Sequence, residues 1–139
     1  MPVEISDEAR RYIGRFGELT GVTPRDCLVD DDRLVFLLPA GRMATAIGPD
    51  GATVERAEER LGRRIDLVAD ADAPETFIAN ALAPAVVRCV TISEQGDRVA
   101  YVEVEADDRG IAIGDDGRNI DAARRLARRH HGIGDIELT

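Results

Sequence analysis

Apolar residues recur at helical spacing from the start of the chain. Ala9, Tyr12, Ile13, Phe16 and Leu19 fall on one face, and Ser6-Asp7-Glu8 ahead of them supplies an N-cap and two first-turn acids. Gly21 and Pro24 close that helix. Two apolar runs, residues 25–29 and 34–38, flank the polar Asp30-Asp31-Asp32-Arg33 and predict a hairpin that Pro39 ends. Residues 40–47 read as a short helix, with Met43 and Ile47 one turn apart, stopping at the loop Gly48-Pro49-Asp50-Gly51. Val54, Ala57 and Leu61 mark the inner face of the next helix, Gly62 caps it, and residues 63–68 form a strand.

The same order then repeats. Residues 69–73 have no periodicity and read as a linker. Pro74 opens a helix whose face is Phe77, Ile78, Ala81 and Leu82 and which Pro84 ends. Runs 86–92 and 99–104 form a second hairpin around Glu94-Gln95-Gly96-Asp97. Residues 107–113 read as a short helix, Gly114-Asp115-Asp116-Gly117 as its loop, 119–130 as a long helix and 133–138 as a closing strand. Both halves are therefore α-β-β-α-α-β, an α+β pattern suited to a three-stranded sheet covered on one face by helices.

The loops support a duplication. Aligning Gly48 with Gly114 brings Ile47 onto Ile113, Gly51 onto Gly117, Val54 onto Ile120 and Ala57 onto Ala123. Domains over residues 1–70 and 71–139 follow. A unit this small is marginal alone, so the halves are expected to share an apolar interface.

Composition narrows the function classes. Of 139 residues 44% are hydrophobic but only 4% aromatic, with no Trp, so the core is expected to be aliphatic. Nothing approaches a run of about 18 apolar residues, and Met1-Pro2-Val3-Glu4 lacks the order of a secretion signal; a cytoplasmic protein without membrane association is expected. The net charge of -9 would ordinarily argue against a nucleic-acid partner. All 18 basic residues, however, are arginine, and lysine is absent. An acidic, lysine-free surface fits a salt-accumulating halophile, where a Debye length of about 3 Å in molar salt stops net charge from repelling a polyanion. An acidic domain from a GC-rich mesophile is the alternative.

Other chemistry finds little support. Cys27 and Cys89 lack metal or disulfide spacing and are expected in the core. His130 and His131 point about 100° apart on a helix and suit its C-terminal end better than a metal. No catalytic arrangement, metal site, cofactor fingerprint or calcium loop is expected.

The glycine loops carry the candidate chemistry. Glycines at both ends allow positive φ and close approach to a ligand, and the amides of the following helix start point into the same space. Arg118 and Asn119 stand at the second helix start. Arg63 and Arg64 are candidates to flank the first groove, while Arg124, Arg125, Arg128 and Arg129 extend a basic face that could equally be solvated.

These residues resemble tandem type II KH domains of the NusA family in its short archaeal form. The resemblance rests on Ala46-Ile47-Gly48-x-x-Gly51 with Gly62-Arg63-Arg64-Ile65-Asp66-Leu67-Val68, on Asn80-Ala81-Leu82-x-Pro84-Ala85, on Ala112-Ile113-Gly114-x-x-Gly117-Arg118-Asn119-Ile120, and on the tail 126–133. It implies a non-catalytic monomer acting in transcription elongation, termination or antitermination. Each module would clamp about four nucleotides of single-stranded RNA, the nascent transcript, with RNA polymerase a further candidate partner. Bacterial members of the family add a polymerase-binding N-terminal domain and an S1 domain. The implied RNA-binding set is Ile47, Gly48, Pro49, Asp50, Gly51, Arg63 and Arg64 in the first half. In the second it is Ile113, Gly114, Asp115, Asp116, Gly117, Arg118 and Asn119.

The loop interiors depart from the family habit of Lys or Arg between the glycines, holding Pro49-Asp50 and Asp115-Asp116. Weaker backbone contact, more base readout or a bridging cation would each accommodate that. A protein-interaction module docking on polymerase or ribosomal components is the alternative function. RNA binding implies that Gly114→Asp or Gly117→Asp lowers affinity without unfolding.

Overall fold

The structure, a computed structural model, describes residues 4–139. Met1, Pro2 and Val3, part of the N-terminal stretch considered for a secretion signal, lie outside the described residues. The chain divides between Asp70 and Ala71 into two compact units. Each holds its own three-stranded sheet.

In the first unit α1 (Asp7–Thr20) starts where the Ser6 hydroxyl accepts from the Ala9 amide at 3.1 Å and ends at Gly21, φ 78°. β1 (Asp26–Val29) and β2 (Arg33–Leu38) form the antiparallel hairpin. Two helices, α2 (Met43–Ile47) and α3 (Ala52–Leu61), carry the chain back, so that β3 (Arg64–Ala69) enters parallel to β2. The second unit repeats this with α4 (Pro74–Leu82), β4 (Val87–Ser93), β5 (Val99–Val104), α5 (Arg109–Ile113), α6 (Arg118–His131) and β6 (Asp135–Leu138). β5 is its central strand, antiparallel to β4 and parallel to β6.

Strand alternation places the cores. In the first unit Cys27, Leu34, Phe36, Leu38 and Ile65 face Ala9, Phe16, Ala46 and Ala57 from the helices. In the second Phe77, Ile78, Leu82, Ile120, Ala123 and Leu126 are buried with Ala100, Val102 and Ile136 from the sheet. Apart from three phenylalanines the core is aliphatic, as composition predicts.

The sheet faces turned away from the helices differ. In the first unit that face carries Leu28, Val35, Leu37 and Val68, all buried. It also carries Arg33, whose guanidinium lies 2.6 Å from Asp66. In the second unit it carries Cys89, Thr91, Tyr101 and Glu103, all exposed.

Cys89 is thus not a core residue. A bulge between Val87 and Cys89 shifts the alternation, so the apolar neighbours of Cys89 do not place it inside. Cys27 is buried, and desolvation first, then the Asp26 carboxylate, push its thiol up to about 12. An aromatic disulfide reagent at pH 8 will therefore modify one thiol of the native protein rapidly and the second only on unfolding; two rapid equivalents would contradict this packing. Because the folded value lies above the unfolded one, Cys27 contributes stability below about pH 8.5 that is lost as pH rises towards 12.

Candidate nucleic-acid interface

The two glycine loops have the same backbone. Gly48 sits at φ 76°, ψ 174° and Gly114 at φ 77°, ψ 173°, a region essentially reserved for glycine. Asp50 and Asp116 are left-handed at φ 53° and 54°, and Gly51 and Gly117 at φ 78° and 77°. Three of four residues in each loop therefore have positive φ. Each loop is a 3-10 turn closed by a bond from the second glycine's amide to the first glycine's carbonyl, 3.2 Å in the first loop and 3.1 Å in the second.

That backbone explains Asp50 and Asp116. Aspartate is among the few residues that tolerate the left-handed region, and a carboxylate before a helix start also suits the helix dipole. The letters that look unsuited to a polyanion are thus well suited to the turn. α3 and α6 start directly after Gly51 and Gly117 with no side-chain cap, and their first amides, of Ala52 and Arg118, donate back to the Pro49 and Asp115 carbonyls inside the loops. Ile47 and Ile113, each 37% exposed, sit just before the loops.

The first glycine of each loop is pressed onto the helix that follows. A Cβ on Gly48 would lie 2.1 Å from Thr53 Oγ1 and 2.9 Å from the Thr53 amide nitrogen; one on Gly114 would lie 2.7 Å from Asn119 Cγ. Gly114→Asp would consequently disturb the fold itself, contrary to the sequence-based expectation. Gly51 and Gly117 face nothing closer than 3.8 Å, so Gly117→Asp retains that expectation.

Asn119 is not simply presented to a ligand. Its Nδ2 donates to the Ile111 carbonyl at 2.8 Å, tying the α6 start to α5. Thr53 occupies the equivalent place in the first unit. The sequence holds a signal for this pairing, since Thr53 and Asn119 stand at the same repeat offset as the glycines.

Pro49, Asp50, Asp115 and Asp116 are exposed at the loop tips, and Arg118 begins α6. The fold does not bring Arg63 and Arg64 to this place. They lie beyond the far end of the ten-residue α3, about 15 Å along its axis from the loop. There the Arg63 guanidinium donates to the Asp30 carbonyl and lies 5.9 Å from the centre of the Tyr12 ring.

The arginines of α6 separate into two rows. Arg124 donates to the Ile136 carbonyl at 3.0 Å and lies 2.9 Å from Asp135, and Arg128 donates to the Gly134 carbonyl at 2.7 Å, so this row is tied to the last strand. Arg118, Arg125 and Arg129 fall on another face. The imidazole of His131 packs edge-on against Phe77, ring centres 4.5 Å apart, with Nε2 3.1 Å from the Ala71 carbonyl, a packing role at the helix end. Ile111, 45% exposed on α5, lies beside the loop and was not singled out from the sequence; with Ile113 it gives this five-residue helix an exposed apolar surface.

Comparison with known proteins agrees with this geometry. Residues 74–137 match the family model described as NusA-like second KH domain, which makes the second unit a KH domain of that kind. Over 99% of both chains this one is 58% identical to "Probable transcription termination protein NusA" of Halococcus morrhuae. It is 41% identical over 81 residues to "Transcription termination/antitermination protein NusA" of Mycobacterium bovis, a match spanning 23% of that longer protein. The crystal structure of APE1850 superimposes with a TM-score of 0.82 at 31% identity, covering 97% of this chain and all of that one. The chain belongs to the NusA family.

Proposed function

We propose that this chain is a non-catalytic RNA-binding factor that acts on transcription by holding single-stranded RNA of the nascent transcript at its glycine loops. The first unit is included as a KH domain, so that residues 1–70 and 71–139 form a tandem pair. The observation that carries the reading is the recurrence of one constrained loop backbone at two places 66 residues apart, each leading into a helix with no side-chain cap and preceded by an exposed isoleucine. A plain turn between helices does not need a glycine-only first residue in contact with the next helix; a surface that must admit a phosphodiester backbone benefits from both. Apolar side chains beside the loops suit bases, and arginine hydrogen bonds to phosphate outlast the diffuse attraction that high salt removes.

Fluorescence anisotropy with short single-stranded RNAs, from low salt to molar KCl, tests the reading. Saturable binding that weakens in the double variant Gly51→Asp with Gly117→Asp, while the variant still folds and melts cooperatively, is the expected result. Absence of saturable binding in every condition would favour a protein-docking module instead, a reading that the exposed Asp50, Asp115 and Asp116 support. Co-purification with RNA polymerase, lost on mutation of the same surface, would then be the corresponding observation.

A further inference from the structure

We propose that the two loops, alike in backbone, are unequal in use, and that the α5–α6 surface of the second unit carries nearly all of the grip on single-stranded RNA. The inference rests on the RNA-binding reading above and deepens it. The helices that follow the loops differ in charge. α6 carries Arg118, Arg124, Arg125, Arg128 and Arg129 against the single acid Asp121. α3 carries Glu55, Glu58 and Glu59 against Arg56 and Arg60.

Position on the helix sharpens the contrast. At 100° per residue Arg118, Arg125 and Arg129 point within about 20° of one direction, starting at the loop, whereas Arg124 and Arg128 point elsewhere and bind the last strand. The first-unit positions matching Arg118 and Arg125 are Ala52 and Glu59, so a phosphate leaving that loop along the helix meets a methyl group and then a carboxylate.

The apolar side differs in the same sense. Ile111 and Ile113 are both exposed on α5, at 45% and 37%, offering two branched side chains to bases. On α2 only Ile47 is available, because Thr45 stands where Ile111 stands in the second unit. Behind the exposed Asp115 and Asp116 of the second loop, a row of arginines on α6 and an apolar pair on α5 thus occur together, a combination that the first unit lacks. Single-stranded RNA, with anionic phosphates and stackable bases, is the occupant complementary to both.

The experiment compares Gly51→Asp and Gly117→Asp separately in the full chain, by anisotropy in about 0.2 M and molar KCl. Both positions are left-handed and open, so the melting temperatures should match. Gly117→Asp is expected to weaken binding by about tenfold or more and Gly51→Asp by less than about threefold. Arg118→Ala with Arg125→Ala should lower the slope of log K against log salt by about 1.4, as for two phosphate contacts on a single strand. The converse pair, Ala52→Arg with Glu59→Arg, should strengthen binding.

Equal losses from the two loop substitutions, or a larger loss from Gly51→Asp, would overturn the inference and leave the RNA-binding reading standing. An unchanged salt slope in the double arginine variant would also overturn it. Failure of the unmodified chain to bind any RNA would instead remove the reading on which both rest.

Discussion

Gly48→Ala is expected to destabilise the first unit by about 3–5 kcal/mol, combining a backbone region closed to side chains with a forced contact. The new methyl group would meet the Thr53 hydroxyl at 2.1 Å and, more seriously, the Thr53 amide nitrogen at 2.9 Å. The hydroxyl can rotate away, but the amide belongs to the first turn of α3 and can retreat only if that helix shifts. Gly51→Ala, three residues on, meets only a flexible Glu55 carboxylate at 3.8 Å and should cost about 1–2 kcal/mol for its left-handed φ. Gly114→Ala and Gly117→Ala should repeat the contrast in the second unit. There Asn119 must surrender its bond to the Ile111 carbonyl to make room. Guanidinium unfolding curves for the four variants measure this directly. Equal costs within either pair would show that the first glycine is not held against the helix as described.

Phe36→Ala should be comparably severe, at about 3–5 kcal/mol. Phe36 lies on the central strand β2, is fully buried, and packs against Phe16 with ring centres 4.4 Å apart. Removing the ring leaves a cavity bounded by a strand paired on both sides and by α1, neither of which can collapse into it without breaking hydrogen bonds. In a unit of this size the melting temperature should fall by more than about 10 °C. Tyr101→Ala, on the open face of the second sheet, should stay within about 0.5 kcal/mol of the parent. A small shift for Phe36→Ala would mean that the phenylalanine pair is not the centre of that core.

The element order was readable because each signal is local. Ser6 and Gly21 bracket α1, Pro74 opens α4, and the repeated Ala-Ile-Gly marks both loops. The near-continuous apolar run over β2 matched a strand buried along its length. What the letters did not display depended on direction rather than composition. Arg63 and Arg64 are basic and near a loop in sequence, yet a ten-residue helix carries them to its opposite end. Arg124 and Arg125 are neighbours, but the 100° between them sends one to the carbonyls of the last strand and the other to a different face. Cys89 was misplaced by a single bulge. The aspartates at positions 50 and 116 looked like a problem of charge and are explained by backbone torsion, which letters alone do not display.

Those torsions leave the tetrapeptides unevenly constrained. Three positions in each are held at positive φ, whereas the remaining one is proline in one copy and aspartate in the other, an exposed residue of ordinary backbone geometry. Under the RNA-binding proposal, substitutions at 49 and 115 would retune affinity without endangering the architecture. Descendants of an ancestral duplication would be free to diverge there, and a protein engineer seeking a tighter grip would start with a guanidinium at 115.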